Sequence, residues 1–592
     1  MKHWIAIDEY QPVESVTYRL LSAVNEFHST EDPDPDSLKL QELVKKSAKT
    51  ALELEELLPV LVYVLLYNKS EFCSKAIWLL LLEQAASSTH TAVLLSWCIE
   101  SSPVSEEISF VSPWKKVDEL LADLERVISE AELEPFRNKR GFIRDLQNLA
   151  SWLSKQPKNE RSVLLKSRLR QLELGQDASF FLYGPDNRVV NTVASETVVF
   201  NTAKNCPFMV WAEVLGTIER QPLSPKEPFE RSTTVSENGE RRKSVVDDLW
   251  MSLERTATGM SEFVMDGDPT AETSEDFFTA FAKFMDPTRG CSIFTRVDAD
   301  SNGANSKKKT DTWEDINERV RIKSKLSRTE LEWSVVPLIV KANDDLRQEQ
   351  LGSLLVSMFH KIFIAQNVPV WLAPYRVIAT GVDRGIIEPV KNTESIARLK
   401  SQNKYTSISQ YFYDTFGEPG TAGFVAAQSN FVASLAGYSV LSFVMKLHDR
   451  HNGNILLDNE GHIIQIDFGF MLGKGHFFEM SPFKLTRDYL EILGGTDSLV
   501  FQDFRKLCEQ SYLALHDNYE APTLLVRTLA NHCPYDCFVG GDSTLREFEE
   551  RFKPKASKEE CIAFINNLID ASVDNWSTNM YDRWQRAFND IL

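Results

Sequence analysis

The chain lacks the features that would send it out of the cell or through a bilayer. Its 592 residues include only eight cysteines. None has disulfide-framework or zinc spacing, which points to reduced thiols in the cytosol. Cys533 and Cys537 lie beside His532 but have no second CxxC pair, so they read as incidental thiols rather than ligands. The opening MKHWIAIDEY has no signal-peptide core, neither end carries a lipidation signal, and the longest apolar run, Val60 to Leu66, is too short to span a membrane. Positive charge is also scarce. Lys and Arg number 65 against 85 Asp and Glu, a net charge of −20. Such a chain gains nothing by bulk attraction to nucleic acid or anionic lipid. The expectation is a cytoplasmic protein with no nucleic-acid partner, whose membrane contact is peripheral and depends on partners or a local patch. Core material is ordinary, at 43% apolar and 10% aromatic residues, enough for about two to four domains.

Residues 1–175 read as a helical domain. LLPVLVYVLL, AIWLLLLEQAA and TAVLLSWCI are apolar around most of their circumference and should be buried among other helices, as in a solenoid-like stack. Residues 176–218 change pattern: VASETVVFN and CPFMVWAEVL are β-rich runs joined by the turn-like TAKN. Residues 219–311 are rich in Ser, Thr, Asn, Gly and charge, the composition of a regulatory insertion. Within it VVDDLWMSLERT and SEDFFTAFAKFMD form candidate amphipathic helices, and Arg241, Arg242 and Lys243 precede Ser244 in the manner of a basophilic phosphorylation site. WSVVPLIVKAN (333–343) is a strand run, followed by a helix from about Leu346 and further strands in PVWLAPYRVIATGV and GIIEPV. Residues 391–592 are mainly helical. The plan is α+β and bilobal: a small mostly-β N-lobe completed by residues 312–390, then a larger mostly-α C-lobe, with the helical domain ahead of both.

The chemistry concentrates in LHDRHNGNILLDNEGHIIQIDFGFML. Asp449, Asn454 and Asp467 stand five and thirteen residues apart, the spacing at which kinase folds set a catalytic acid, a metal-binding amide and a second metal-binding carboxylate. Asp and Asn are hard oxygen ligands suited to Mg²⁺. A plain hairpin would explain the turn-like DNEG and the alternating GHIIQID, but not DRHNGN and DFG together. Lys341 ends a strand run and precedes DDLRQE. Alone it would read as a solvated lysine; beside the downstream ligands it reads as a point charge for nucleotide phosphates. Glu349 on the following helix is placed to orient it.

VKANDDLRQEQ, PYRVIATGVDRGIIEPV, DRHNGNILLDNEGHIIQIDFGF and FKLT closely resemble the phosphatidylinositol 3-/4-kinase superfamily, and within it the type III beta phosphatidylinositol 4-kinases. The resemblance implies ATP as phosphate donor and Mg²⁺, or Mn²⁺, as cofactor. It implies that Lys341 contacts ATP phosphate, that Glu388 and Val390 read adenine through their backbone, that Tyr375 lines the inner pocket, and that Ile339, Leu456 and Ile466 sandwich the base. Asp449 would orient or deprotonate the inositol hydroxyl with His451 assisting, while Asn454 and Asp467 hold the metal. The family's Ser-Pro-Tyr loop before the lysine strand is replaced here by KSKLSR, where Ser324 would offer a backbone N–H to the γ-phosphate.

Substrate choice is argued from charge. The stretch from Asp467 to Lys484 offers only Lys474, His476 and Lys484 as basic groups. A headgroup with extra phosphates needs a denser cationic cluster, so plain phosphatidylinositol is expected, read by Lys474 and Lys484. Choice of the 4-hydroxyl rests on the resemblance alone. The alternatives are a 3-kinase acting on the same lipid and an inactive trafficking scaffold. The resemblance further implies Golgi or endosomal membranes, with small GTPases and a calcium-sensor protein as partners. Finally, Trp576, Met580, Trp584 and Phe588 recur every four residues, the pattern of either a core-docking face or an interfacial membrane helix.

Overall fold

A computed structural model describes residues 51–67, 71–102, 117–175, 177–200, 205–218, 311–330, 332–401, 405, 407–473, 481–530, 533, 535–575, 578 and 580. The 219–310 insertion with its two candidate helices and Ser244, the residues Lys474, His476 and His532, and Trp576, Trp584 and Phe588 lie outside them.

Among the described residues six helices come first: α1 (Ala51–Tyr67), α2 (Glu71–Ser87), α3 (Thr89–Glu100), α4 (Val117–Val127), α5 (Glu130–Ser154) and α6 (Arg161–Arg170). The apolar circumference of α3 explains its place, since ten consecutive residues from His90 to Ile99 are buried; α1, α2, α4 and α5 surround it. Its start is set by Ser88, whose hydroxyl accepts from the Thr91 N–H.

The N-lobe sheet consists of β1 (Arg188–Thr192), β2 (Val198–Val199), β3 (Phe208–Leu215), β4 (Trp333–Ala342), β5 (Val377–Gly381) and β6 (Arg384–Ile387). Its order is β1-β3-β4-β6-β5, with β2 also on β3. Helix α7 (Trp313–Lys323) precedes β4, capped by Thr312 and Asp315 in a reciprocal box. β4 tolerates Pro337 inside it because pairing with β6 starts only at Ile339. The Pro337 carbonyl also accepts from the Tyr183 hydroxyl. The expected strand in PVWLAPYRVIATGV begins only at Val377, past the two prolines.

Helix α8 (Arg347–Ala365) follows β4 and packs on β5. The C-lobe then holds β7 (Thr393–Ser395), α9 (Ile396–Ser401), α10 (Ile408–Phe416), α11 (Ala422–Val444), β8 (Ile455–Asp458), β9 (Ile463–Gln465), α12 (Arg487–Ile492), α13 (Leu499–Asp517), α14 (Glu520–Ala530), α15 (Asp542–Arg551) and α16 (Lys558–Ser572). Among the described residues α11 alone is long and apolar enough to cross a membrane, yet 72% of its apolar 18-residue stretch is buried within the fold. It is the central helix of the lobe, packed against α13 and β9.

The helical region does not stand apart. α5 packs on β4 and α3 on β5, and one continuous apolar core runs from Leu57 to Ile569. Gly385 sits opposite Lys341 in the β4–β6 ladder. A Cβ there would lie 2.5 Å from the Ile378 carbonyl and 2.6 Å from Leu346 Cδ1. Gly385→Ala is therefore expected to destabilise the fold by about 1–3 kcal/mol, read as a lower midpoint of thermal unfolding; an unchanged midpoint would show that the ladder can open to admit a methyl.

Candidate active site

The β8–β9 hairpin explains the spacing of the acidic motif. Asp458 Oδ1 accepts from the N–H groups of Glu460 and His462, and Gly461 takes φ +97° to close the turn. Ladder pairing of Ile455 with Gln465 then brings the residue before β8 against the residues after β9. The Ile466 N–H donates to the Asn454 carbonyl at 3.1 Å. The thirteen-residue separation of Asn454 and Asp467 is thus one hairpin and its closing contact.

Asn454 is oriented by Asp449: its Nδ2 donates to the Asp449 carbonyl at 3.0 Å and stands 3.4 Å from Oδ2. Its Oδ1 is buried without a hydrogen-bond partner. His451 Nδ1 accepts from the Gly453 and Asn454 N–H groups at 3.0 and 3.2 Å. The neutral ring accordingly carries its proton on Nε2, which is also buried without a partner and lies 3.9 Å from Asp449 Oδ1. Asp449 and Asp467 both have positive φ, +61° and +64°. Asp tolerates that region better than most residues, and such strain gathers at functional sites.

The N-lobe supplies the cation. Lys341 is 3% exposed, with Nζ 2.9 Å from Asp344 Oδ2 and 3.9 Å from Glu349 Oε2. Tyr375 joins the lobes: its hydroxyl donates to Glu349 Oε1 at 3.0 Å and accepts from the Asp467 N–H at 3.3 Å. Its ring stacks on Phe468 with centroids 5.9 Å apart. Burial disfavours the Lys341 ammonium, yet the carboxylates of Asp344, Glu349 and Asp467 hold its pKa above the ordinary lysine value. Burial pushes the Glu349 carboxyl up against the pull of Lys341, with Asp467 adding to the rise. Asp467 is raised as well, by burial and by neighbouring Asp449, against Lys341 and Arg450.

Among the described residues no group of three or more His, Cys, Asp or Glu could hold a metal ion. The orphaned Asn454 Oδ1 and the crowded Asp467 carboxylate nevertheless fit a hard divalent cation. Such an ion accepts one or two protein oxygens and completes its shell with water and phosphate. Cys533 and Cys537 are buried and outside any disulfide, and burial raises the Cys533 thiol to about 12, the state of a packed side chain rather than a ligand.

The residues expected around the base lie where the lobes meet. Ile339 is buried on the same face of β4 as Lys341, and Leu456 and Ile466 are buried on the hairpin. The Glu388 N–H donates to the Arg376 carbonyl at 2.9 Å, and its carboxylate accepts from the Arg376 N–H at 3.1 Å. Val390 packs partly buried against the core, its carbonyl accepting from the Thr393 hydroxyl at 3.0 Å.

Two expectations are corrected. Ser324 ends α7 with its N–H donating to the Val320 carbonyl and its hydroxyl bonded to the buried Glu213. Glu213 pairs with Val335, six residues before Lys341 and so about 20 Å along the strand. The N–H proposed for phosphate is both engaged and remote. The connection at the Lys341 end is instead the one from β2 to β3: Phe208 pairs with Val340, and Asn205 Nδ2 donates to the Asn343 carbonyl at 2.9 Å. Lys484 points inward rather than to a headgroup. It is 6% exposed, with Nζ donating to the Arg450 carbonyl at 3.0 Å and Asn452 Oδ1 at 3.1 Å.

Sequence reasoning also passed over three supporting residues. Arg450 donates to the Ile466 carbonyl at 2.8 Å and to the Asp467 carbonyl, pinning the hairpin exit. Gln348 Nε2 donates to the Gly469 carbonyl at 2.6 Å while its Oε1 accepts from the Cys537 N–H at 3.1 Å. Gly352 on α8 leaves room for Phe468. Arg450 and Gln348 stood inside recognised motifs; nothing in the sequence singled out Gly352.

Two lobes meeting at a buried lysine, a catalytic-loop aspartate and an Asn/Asp ligand pair define a domain of the kinase class. Residues 335–532 match the phosphatidylinositol 3- and 4-kinase family, and the chain carries a kinase domain of that family. It is 40% identical over 288 residues to phosphatidylinositol 4-kinase beta 1 of Arabidopsis thaliana, covering 47% of this chain and 25% of that protein. It is 38% identical over 263 residues to phosphatidylinositol 4-kinase of Dictyostelium discoideum, covering 44% of this chain and 22% of that protein. Against phosphatidylinositol 4-kinase beta of Callithrix jacchus it is 30% identical over 525 residues, 80% of this chain and 63% of the relative. The chain thus spans less than two thirds of each of these relatives.

A Cβ at Gly352 would lie 2.5 Å from Phe468 Cβ and 2.8 Å from its Cγ. Gly352→Ala is expected to displace Phe468 and with it Asp467, lowering phosphoryl transfer by about a hundredfold. Steady-state kinetics would check this; a rate near wild type would mean that the ring relocates without moving the aspartate.

Proposed function

We propose that the chain is a phosphatidylinositol 4-kinase, transferring the γ-phosphate of ATP to the 4-hydroxyl of phosphatidylinositol. The observation that carries this reading is the convergence of Lys341, Asp449, Asn454 and Asp467 on one inter-lobe site. All four are buried or engaged there, and Lys341, Asp449 and Asp467 are electrostatically coupled through Asp467. The names of the relatives support the choice of lipid and of the 4-position.

Each group has a defined task. Lys341, held ionised by its carboxylate neighbours, grips nucleotide phosphate. Asp449 accepts or orients the proton of the attacking inositol hydroxyl, and the His451 Nε2–H beside it stabilises developing charge. Asn454 Oδ1 and Asp467 would hold Mg²⁺, or Mn²⁺ in its place. When bound, the cation neutralises phosphate charge in the transition state. Ile339, Leu456 and Ile466 form the apolar walls for adenine, and the backbone of Glu388 and Val390 reads its edge.

In this reading the enzyme works in the cytoplasm and is recruited peripherally to Golgi or endosomal membranes. Its net charge of −20 favours recruitment by partners such as small GTPases and a calcium-sensor protein over bulk attraction to lipid. With radiolabelled ATP and phosphatidylinositol vesicles the labelled product should migrate as the 4-phosphate. A 3-phosphate would overturn the regiochemistry and leave the site intact; no lipid product would overturn the function. Asp467→Asn should lower kcat by on the order of 10²–10³-fold with the fold retained by circular dichroism, and chelation by EDTA should abolish transfer until Mg²⁺ is restored.

A further inference from the structure

The buried ammonium of Lys484 is not among the groups that converge between the lobes, and its surroundings show what it does. The segment bearing it is fixed from the other side. Phe483 and Leu485 are buried, the Leu485 carbonyl accepts from the Asp574 N–H at 2.9 Å, and Leu485 bridges to Val573 beyond α16. With its backbone held there, Lys484 reaches across to the Arg450 carbonyl and the Asn452 side chain. These residues lie between Asp449 and Asn454. The Arg450 guanidinium in turn holds the carbonyls of Ile466, Asp467 and His448.

We propose that Lys484 is a positioning residue for phosphoryl transfer, a buried strut that holds the Asp449–Asn454 loop in its working conformation. The proposal rests on the kinase reading of the site. Asp449 sits at φ +61°, a conformation that persists only where the surroundings over-determine it. A charge-assisted bond to the next residue's carbonyl supplies that restraint. Without it, the Arg450 carbonyl and the Asn452 amide lose their buried donor, and the loop can relax by the fraction of an ångström that matters for transfer. Because the same strut sets both Asp449 and Asn454, it affects chemistry whether the acceptor is a lipid hydroxyl or water. A headgroup-reading lysine would affect lipid binding alone.

The test compares wild type, Lys484→Met, Asp449→Asn and the double variant in the full chain, with phosphatidylinositol vesicles and with ATP alone. Lys484→Met should lower kcat for lipid phosphorylation by about a hundredfold, leave KM for lipid and for ATP within about twofold, and lower lipid-free ATP hydrolysis in parallel. The double variant should lose clearly less than the two single losses combined, since both act on one loop. Hydrogen exchange should speed up at the amides of Gly453 and Asn454. If Lys484→Met fails to fold, Lys484→Arg takes its place, and a lowered kcat with unchanged KM is again expected. A raised KM for lipid with kcat intact would restore Lys484 as a headgroup reader and overturn the proposal, as would additive losses in the double variant. A wild-type chain that transfers no phosphate would instead overturn the functional reading on which it rests.

Discussion

The site depends on a charge imbalance buried between the lobes. The Lys341 ammonium is surrounded by the carboxylates of Asp344, Glu349 and Asp467, and Asp467 in turn feels Asp449. Acidic groups outnumber the cations that balance them, and burial amplifies each repulsion. Lys341 is held firmly ionised, while Glu349 and Asp467 are pushed toward protonation. An arrangement that only stabilised a fold would have no reason to gather surplus negative charge beside the unpaired Asn454 Oδ1. One that receives a divalent cation together with nucleotide phosphates, as proposed, does, because the metal would relieve the carboxylates and Lys341 would meet the phosphates.

The geometry that maintains this imbalance comes from a short stretch after β4 in which almost every side chain has a separate task. Asp344 holds Lys341, and Asp345 holds the Arg347 guanidinium at 2.7 Å. Arg347 reaches the Ser101 carbonyl just past α3 at 3.2 Å and lies over the Tyr535 ring. Gln348 holds the Phe468–Gly469 carbonyls, and Glu349 meets Lys341 and Tyr375. Five side chains within six residues therefore tie the helical region, the N-lobe and the turn after β9 together. Helices α3, α5 and α6 pack on the N-lobe sheet while α1 packs on α14 of the C-lobe, and Gln147 on α5 donates to the Thr380 hydroxyl on β5 at 2.6 Å.

What was legible in the sequence follows from how local each feature is. Asp449, Asn454 and Asp467 could be read because a hairpin converts a fixed spacing into proximity. Lys341 could be read because strand periodicity and an adjacent acidic run placed it at a ladder end. Lys484 was misread because a lysine between two apolar residues looks the same whether it faces a headgroup or a buried carbonyl. Its direction is set by Leu485 pairing with Val573, 88 residues later in the chain. Ser324 was misplaced for a related reason. A helix that ends on it consumes its N–H, and helix ends are the least reliable part of any sequence reading. Gly352 was invisible because its role exists only through Phe468, a contact across the two lobes.

A plain hairpin and a kinase motif are not alternatives here, since the structure contains both and the relation between them is causal. β8 and β9 do form an ordinary antiparallel pair closed by an Asp-Asn-Glu-Gly turn, with His462 bonded to Asp458 at 2.8 Å and stacked on Trp371. Those turn residues sit at the closed end of the hairpin, and Asn454 and Asp467 at its open end. The turn contributes a rigid closure, and rigidity at the tip fixes the register of the open end, where a slip of one residue would turn Asn454 or Asp467 to the opposite face. The chemistry at one end of the hairpin is therefore secured by the turn at the other, which makes the plainest part of the motif a condition for its function.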